Sequence, residues 1–253
     1  MHGASLDRVT DHVVRDAHEG GSLRPATLLF LLRRYVGSGR EDCRELVERG
    51  LADGLTSFEL ELDPVRRFEW LELFAEAAAV SADEGLAETL RRSIGPAVAR
   101  LEQLIASTYE PGAGLEGLDL QRHLGCASAL LTAFALTARL PYSMLAEELL
   151  SVARREWWLA ERGAFDGGLA DNCLGVRLLC RLAALHEDPE YVESAVVAGE
   201  TTYAADARRV LDAVEDDPRL ASSLDADYGL ALLQWSQLTS VSTGTERRQS
   251  NLQ

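Results

Sequence analysis

The sequence of 253 residues contains no lysine, and all 25 of its basic residues are arginine. With 41 acidic residues, the formal net charge is −16. An acidic surface repels the phosphates of DNA and RNA, so this charge argues against a nucleic-acid partner. The missing lysine is most simply explained by a GC-rich genome, and together with the acidity it would also suit a high-salt cytoplasm.

Long hydrophobic runs are also missing. Residues 27–32 and 126–138 are the most apolar stretches, and both are too short or too interrupted to span a bilayer. The N-terminal segment MHGASLDRVTDHVV lacks the basic and apolar regions of a signal peptide. We therefore expect a soluble, cytoplasmic protein with no membrane partner.

Only four cysteines occur, at positions 43, 126, 173 and 180, and none forms a CxxC pair. On a helix, Cys173 and Cys180 would be about 10 Å apart along the axis, which is too far for a disulfide. We expect four free thiols that serve as small core residues in a reducing compartment.

Strand patterns are scarce, and TSFELEL at 56–62 is the single candidate. Caps and prolines predict ten helices, with a kink or split at Gly95-Pro96 in the fifth. Their predicted positions are 5–18, 25–36, 40–53, 64–80, 83–107, 120–139, 141–160, 172–186, 189–214 and 226–240. Residues 1–240 are predicted to form one domain, and 241–253 a disordered tail because they lack apolar periodicity.

Short and long connections alternate along the chain. The short ones lie at 37–40, 81–84, 139–141 and 186–189, whereas the others carry about ten residues rich in glycine and acids. Helices that follow a long connection are apolar on most sides, and those that follow a short one have a charged face. A helix that is apolar all round is enclosed by protein, which predicts five inner and five outer helices.

The helical pairs also repeat. A shift of 48 aligns Leu131 with Leu179, Ala135 with Ala183 and Pro141 with Pro189. A period of about 50 residues with two helices is typical of stacked helical hairpins, which form an open solenoid or a closed ring. Neither end carries a polar capping helix, which favours closure. The predicted fold is all-α, with antiparallel helical hairpin repeats that form an (α/α) toroid or barrel of about five hairpins.

FDGG at 165–168, the apolar helix after it and LAALHEDPEYVESA at 182–195 resemble the repeat of α/α toroid proteins. These include six-hairpin glycosidases, N-acylglucosamine epimerase-like proteins, and the toroid region that follows a thioredoxin-like domain in some large bacterial proteins. The resemblance covers about residues 25–240 and concerns repeat style, since no stretch matches the catalytic motif of one family. It implies a pocket at one mouth of the ring, with glycoside hydrolase, epimerase or lyase activity.

In such a ring the long connections and the N-termini of the inner helices share one end, which suits hydroxyl-rich or anionic ligands. Glycosidases use two carboxylates about 5 to 9 Å apart. The predicted catalytic residues are Asp166 with one of Glu110, Glu116 or Glu161. Helix capping is the simpler explanation for Asp63, Asp119, Asp171 and Asp225.

Six further residues are predicted to bind substrate. Aromatic rings next to glycine-rich connections can stack on sugars, although aromatics on helices belong more often to the core. Arg177 lies on an otherwise apolar helix and needs a ligand anion or, as the simpler alternative, a structural ion pair. The six residues are Tyr109, Trp157, Trp158, Phe165, Asp171 and Arg177.

No cofactor and no metal site is predicted. Gly112, Gly114 and Gly117 spell GxGxxG, but a helix precedes them, whereas the dinucleotide fingerprint requires a strand. Asp119, His123 and Cys126 share one helix face but lack a fourth ligand.

The predicted function is catalysis on, or binding of, a carbohydrate or another hydroxyl-rich small molecule at the mouth with the long connections. The alternative is a helical-repeat scaffold without catalysis that binds a protein partner.

Overall fold

The computed structural model describes residues 2–21, 23–61, 64–195, 202–217 and 225–250. The predicted all-α class is confirmed, since the described residues form eleven helices and four strands of two residues each. The helices are α1 (His2–His18), α2 (Pro25–Ser38), α3 (Glu41–Leu60), α4 (Pro64–Val80), α5 (Glu84–Thr108), α6 (Leu120–Thr137), α7 (Leu140–Trp157), α8 (Leu169–His186), α9 (Pro189–Ser194), α10 (Tyr203–Glu215) and α11 (Ala226–Ser250). The part of the chain that the structure describes contains no helix with the length and hydrophobicity that a membrane span needs.

Most helices begin and end at the residues that local chemistry favours. The side chains of Asp83 and Asp119 accept hydrogen bonds from the first free N–H groups of α5 and α6. Pro25 and Pro141 occupy the first turns of α2 and α7, where the missing N–H costs nothing. Gly39 ends α2 in a left-handed conformation with φ 69°.

The single strand candidate, 56–62, which is too isolated to build a sheet, is helical up to Leu60 because α3 continues to that residue. Leu51, Leu55 and Phe58 recur at helical spacing, and the Phe58 ring packs edge-on against Phe74 of α4 with centroids 5.2 Å apart. Burial against α4 therefore outweighs the alternating pattern of the short segment. Residues 62 and 63, which include Asp63, lie outside the described residues.

Three other boundaries differ from the predictions. The single helix predicted at 189–214 is two helices, α9 and α10, and residues 196–201 between them lie outside the described residues. Helix α5 continues through Pro96 from Glu84 to Thr108, so the split predicted there as the alternative to a kink does not occur. Helix α11 continues to Ser250, through the first ten residues of the segment predicted to be disordered.

Five helices contact one another in a closed order: α2 packs on α4, α4 on α6, α6 on α8, α8 on α11, and α11 on α2. We call these the central helices. Each also packs against one flanking helix: α3 on α2, α5 on α4, α7 on α6, α10 on α8 and α1 on α11.

The central helices all run in the same direction. Their N-terminal parts line one cavity, and their C-terminal parts line a second. We call these the N-terminal cavity and the C-terminal cavity. The connections at 109–119 and 158–168, and the described residues 23–24 and 225, each directly precede a central helix and therefore lie at the end of the N-terminal cavity.

Two of the long connections contain a small antiparallel hairpin. Strand β1 (Tyr109–Glu110) pairs with β2 (Gly114–Leu115), and β3 (Trp158–Leu159) pairs with β4 (Ala164–Phe165). The hairpins lie against neighbouring helices, since β2 contacts α5 and α7 whereas β4 contacts α8 and α10. The polypeptide of these connections is thus directed toward flanking helices.

The core contains the predicted thiols. Cys43, Cys126, Cys173 and Cys180 are buried and form no disulfide with one another, which confirms their assignment as small core residues. Glycine is also a small core residue, and it allows two helices to approach closely. A Cβ on Gly229 of α11 would lie 2.4 Å from the buried ring of Phe30 in α2.

We expect Gly229→Ala to lower the free energy of unfolding by about 1–3 kcal/mol, because the added methyl overpacks the α2–α11 contact. Gly37→Ala is the matched control, since Gly37 lies in α2 with no atom near its missing Cβ. The control is expected to be neutral or slightly stabilising. Urea unfolding monitored by circular dichroism measures both, and equal stability of the two variants would contradict the close packing of α2 and α11.

Candidate functional site

The N-terminal cavity has a volume of about 100 Å³ and is lined by all five central helices. Carboxylates, hydroxyls, an amide and two guanidinium groups dominate its polar lining. These residues are Arg24, Glu69, Glu72, Gln121, Ser128, Thr132, Asp171, Arg177 and Asp227. The lining offers both donors and acceptors of hydrogen bonds to a small polar molecule.

At the rim, Arg24 ahead of α2 meets two aspartates at the start of α11. Its Nη2 lies 2.9 Å from Asp227 Oδ2 and 3.7 Å from Asp225 Oδ2. The Asp227 N–H donates to Asp225 Oδ1 at 2.5 Å, so Asp225 also caps the helix. Burial and the adjacent charge of Asp227 raise the pKa of Asp225 to about 6.

Asp171 lies on the next helix of the same rim, in the first turn of α8. Its carboxylate accepts a hydrogen bond from the Gly168 N–H at 2.8 Å. Burial raises the pKa of Asp171, and the negative charges of Asp119 and Asp227 add to this effect although the Gly168 hydrogen bond opposes it. The rim therefore brings together two aspartates, Asp171 and Asp225, whose pKa values are raised by burial.

The inner end of the cavity is closed by a buried cluster of charges centred on Glu72 of α4. Arg177 Nη2 donates to Glu72 Oε2 at 2.5 Å, and Arg33 Nη2 donates to Oε1 at 2.7 Å. Arg33 also makes a two-point contact with Glu76, from Nε at 3.0 Å and from Nη2 at 2.6 Å. Arg181 lies 3.9 Å from Glu72 Oε1.

This axial ion cluster joins α2, α4 and α8. Burial by itself would raise the pKa of Glu72, but the guanidinium groups of Arg177 and Arg33 outweigh it and hold that pKa well below the ordinary value. Glu72 is therefore ionised, and it lines both cavities together with Thr132.

The predicted catalytic residues lie elsewhere. Asp166, Glu110, Glu116 and Glu161 are exposed, and none lines the N-terminal cavity. The Asp166 N–H donates to the Trp157 carbonyl at 2.7 Å, which fixes this residue at the end of the β3–β4 hairpin. Both hairpins pack against flanking helices, the second one also against the central helix α8, and these four carboxylates do not line the N-terminal cavity.

The predicted aromatic residues pack within the same hairpins. Phe165 is fully buried, with Trp158 edge-on at 5.2 Å between centroids, and Trp157 packs on His123 at 5.0 Å. The Tyr109 hydroxyl donates to Glu148 Oε2 at 2.6 Å, and burial together with this hydrogen bond raises its pKa to about 12. None of the four lines the N-terminal cavity.

Two of the ten predicted site residues, Asp171 and Arg177, do line the N-terminal cavity. Asp171 combines the capping position with a place at the rim. Arg177 forms the structural ion pair with Glu72 that was the simpler of its two interpretations.

The residues considered as metal ligands have other contacts. His123 Nε2 accepts a hydrogen bond from the Leu115 N–H at 3.0 Å, and its Nδ1 lies 2.9 Å from the Asp119 carbonyl oxygen. Gly114 keeps φ at 84°, and a Cβ there would lie 2.8 Å from His123 Nε2. The imidazole thus anchors the β1–β2 hairpin. Within the described ranges, no three histidine, cysteine or acidic residues are grouped to hold a metal.

The sequence analysis missed four polar residues of the axis: Arg33, Glu72, Glu76 and Arg181. The signal was present, because each is a charged residue on a helix that is apolar on most sides. Glu72 and Glu76, like Arg177 and Arg181, are four residues apart and share one helix face. Like Arg177, each of these residues needs an ion-pair partner or a bound ligand ion when it lies on a buried helix.

Comparison with known proteins gives no assignment: no family model matches the chain, and no curated protein matches it. The function of the site therefore has to come from its own chemistry.

We expect Glu72→Gln to lower the free energy of unfolding by about 3–5 kcal/mol, because it leaves three buried guanidinium groups with one carboxylate. Glu88→Gln is the matched control, since Glu88 pairs with Arg92 on the exposed surface of α5 at 2.9 Å. Its expected cost is about 0–1 kcal/mol. Chemical denaturation of both variants makes the comparison, and a Glu72 variant as stable as the control would contradict the structural role of the axial ion cluster.

Asp225→Asn should stabilise the protein at pH 7.5 more than at pH 4.5. A carboxyl group whose pKa is higher in the folded state than in the unfolded state binds more protons when the protein is folded. The free energy of unfolding therefore decreases as the pH rises from about 4 to above 6. Asparagine does not titrate, and its side-chain oxygen can still accept the hydrogen bond that caps α11. We therefore expect the free energy of unfolding to rise by up to about 2 kcal/mol at pH 7.5. Urea unfolding at the two pH values is the measurement. Asp166→Asn serves as an exposed control within about 0.5 kcal/mol of wild type, and a gain at pH 4.5 alone would show that the sign is wrong.

Proposed function

We propose that the chain is a closed (α/α) toroid of five helical hairpins that binds a small hydroxyl-rich molecule, of the carbohydrate class, in its N-terminal cavity. Support for the toroid comes from the closed order of contacts among the central helices, each of which has one flanking partner. Their common direction brings five helix N-termini to one end, where free N–H groups favour oxygen-rich ligands.

The observation that carries the ligand class is the polar lining of the cavity. Asp171 and Asp227 approach from neighbouring helices, while Gln121 and Ser128 supply an amide and a hydroxyl. Carboxylates and amides that converge on a small enclosed space are the groups that form hydrogen bonds with sugar hydroxyls.

For a hydrolytic reaction, the rim offers an acid and a base. Burial and the charge of Asp227 raise the pKa of Asp225 to about 6, which suits an acid, whereas the Asp227 carboxylate accepts a hydrogen bond from the Arg24 guanidinium. In this proposal the acid and base are Asp225 and Asp227 or Asp171. They replace Asp166 and the connection glutamates, which are exposed and outside the cavity.

The scaffold alternative is favoured by one specific observation. The axis is filled by the axial ion cluster, and the volume of about 100 Å³ is below that of most small-molecule pockets, which measure about 300–1,000 Å³. A filled axis is what a structural repeat protein needs. In that case the acidic rim serves solubility, and a protein partner binds elsewhere.

A panel of monosaccharides, disaccharides and sugar acids in thermal-shift format tests the proposal. At least one sugar is expected to raise the melting temperature of the wild type, and Asp227→Asn is expected to reduce this shift by half or more because it removes a lining carboxylate. Asp166→Asn, at an exposed position outside the cavity, is the matched control and is expected to keep the shift.

The outcomes separate the two functions. A wild type that no sugar stabilises would favour the scaffold. A shift that disappears in Asp166→Asn but survives in Asp227→Asn would move the site to the β3–β4 hairpin. Release of the chromophore from aryl glycosides, measured for wild type and Asp225→Asn, then distinguishes catalysis from binding.

A further inference from the structure

The C-terminal cavity, at the opposite end of the axis, has a volume of about 570 Å³. This value falls within the range of about 300–1,000 Å³ that is usual for pockets with small organic ligands. The cavity has a polar inner end and apolar walls. Arg33, Glu72, Thr132 and Arg181 form the inner end, and Gln234 and Gln237 line one side.

Arg181 is the cation of this inner end that is least neutralised. The axial ion cluster holds three guanidinium groups and two carboxylates, of which Glu76 is bound by Arg33 and Glu72 is shared by Arg33 and Arg177. Among the described residues, the ion-pair contact of Arg181 is to Glu72 at 3.9 Å. Its other contacts are to neutral oxygens, the Ser128 carbonyl at 3.3 Å and Thr132 Oγ1 at 3.2 Å.

A largely buried guanidinium without its own carboxylate is costly, and a ligand anion would remove that cost. The Arg181 side chain is 17% exposed and lines the cavity, so an anion that enters can reach it. Burial lowers the pKa of Arg181, and the positive charges of Arg177 and Arg33 add to this effect although the charge of Glu72 opposes it.

The outer part of the same cavity is apolar and open to solvent. Val36 is 59% exposed, Val80 45% and Leu136 43%, and these are three of the four most exposed large hydrophobic residues in the described part of the chain. They come from α2, α4 and α6, and all three line the cavity. Exposed apolar side chains gathered around one opening mark a surface that a ligand covers.

We propose that the C-terminal cavity binds a small amphipathic anion, an alkyl carboxylate, whose head accepts hydrogen bonds from Arg181 and whose chain lies along Val36, Val80 and Leu136. The two halves of such a molecule match the two halves of the cavity. The net charge of −16 repels anions in general, so binding here depends on the local guanidinium. This site is separate from the N-terminal cavity.

Isothermal titration with sodium decanoate below its micelle concentration is the direct test. Decanoate is expected to bind at one site per chain, and octanoate and hexanoate are expected to bind about two- to fourfold more weakly for each methylene removed. Decanol and decyltrimethylammonium, which share the chain but lack the negative head, should bind at least tenfold more weakly. Decyl phosphate in the same titration distinguishes a carboxylate head from a phosphate head.

Arg181→Gln removes the guanidinium and is expected to weaken decanoate binding about tenfold or more. Arg92→Gln is the matched control, because Arg92 is an exposed arginine of α5 far from the cavity lining, and it should bind like wild type. Leu136→Asp keeps the test valid if Arg181→Gln does not fold. It places a negative charge at an exposed apolar position and should also abolish binding.

Several results would overturn the proposal: no decanoate binding by wild type, equal binding of decanol or decyltrimethylammonium, or unchanged binding by a folded Arg181→Gln or by Leu136→Asp. Light scattering can give one further contradicting result. If the wild type is a dimer that Leu136→Asp dissociates but decanoate does not, a second copy of the chain covers the apolar opening. The Asp227→Asn variant should bind decanoate normally, so failure at one end of the axis is distinguishable from failure at the other.

Discussion

The contact between Glu72 and its arginines joins three of the five central helices and determines what lies at both ends of the axis. Helices that are apolar on most sides pack well against neighbours, but five of them around a common axis leave a space that side chains must fill. Here charged side chains fill it. Burying them is possible because Glu72 accepts hydrogen bonds from both Arg33 and Arg177, and Glu76 accepts two from Arg33.

That cluster divides the axis into two cavities of different character. Toward the helix N-termini, Asp171, Asp225 and Asp227 form an acidic rim around Arg24. Toward the C-termini, the same cluster presents Arg181 to a wider cavity with apolar walls. One buried set of ion pairs thus lines two proposed sites, one for a hydroxyl-rich molecule and one for an amphipathic anion, and we expect a change at Glu72 to affect both.

The fold was more predictable than the site. Helix positions followed from caps, prolines and apolar spacing, and the error at the end of α3 fell where a long-range contact, Phe58 on Phe74, outweighed the local pattern. Of the predicted site residues, Asp171 and Arg177 line the N-terminal cavity because they lie on central helices. Asp166 and Phe165 do not line it, because the direction of a connection depends on the helix against which its hairpin packs.

The sequence by itself determined the all-α class, the alternation of apolar and amphipathic helices, and the burial of the four cysteines without disulfides. These depend on local spacing and on the free energy of burial, which each segment carries in its own residues. Only the tertiary structure decided which charged residues meet. Arg177 and Glu72 are 105 positions apart, and their contact exists because α4 and α8 face the same axis. No local pattern specifies that distance, so the centre of the molecule and the character of its two ends came from packing alone.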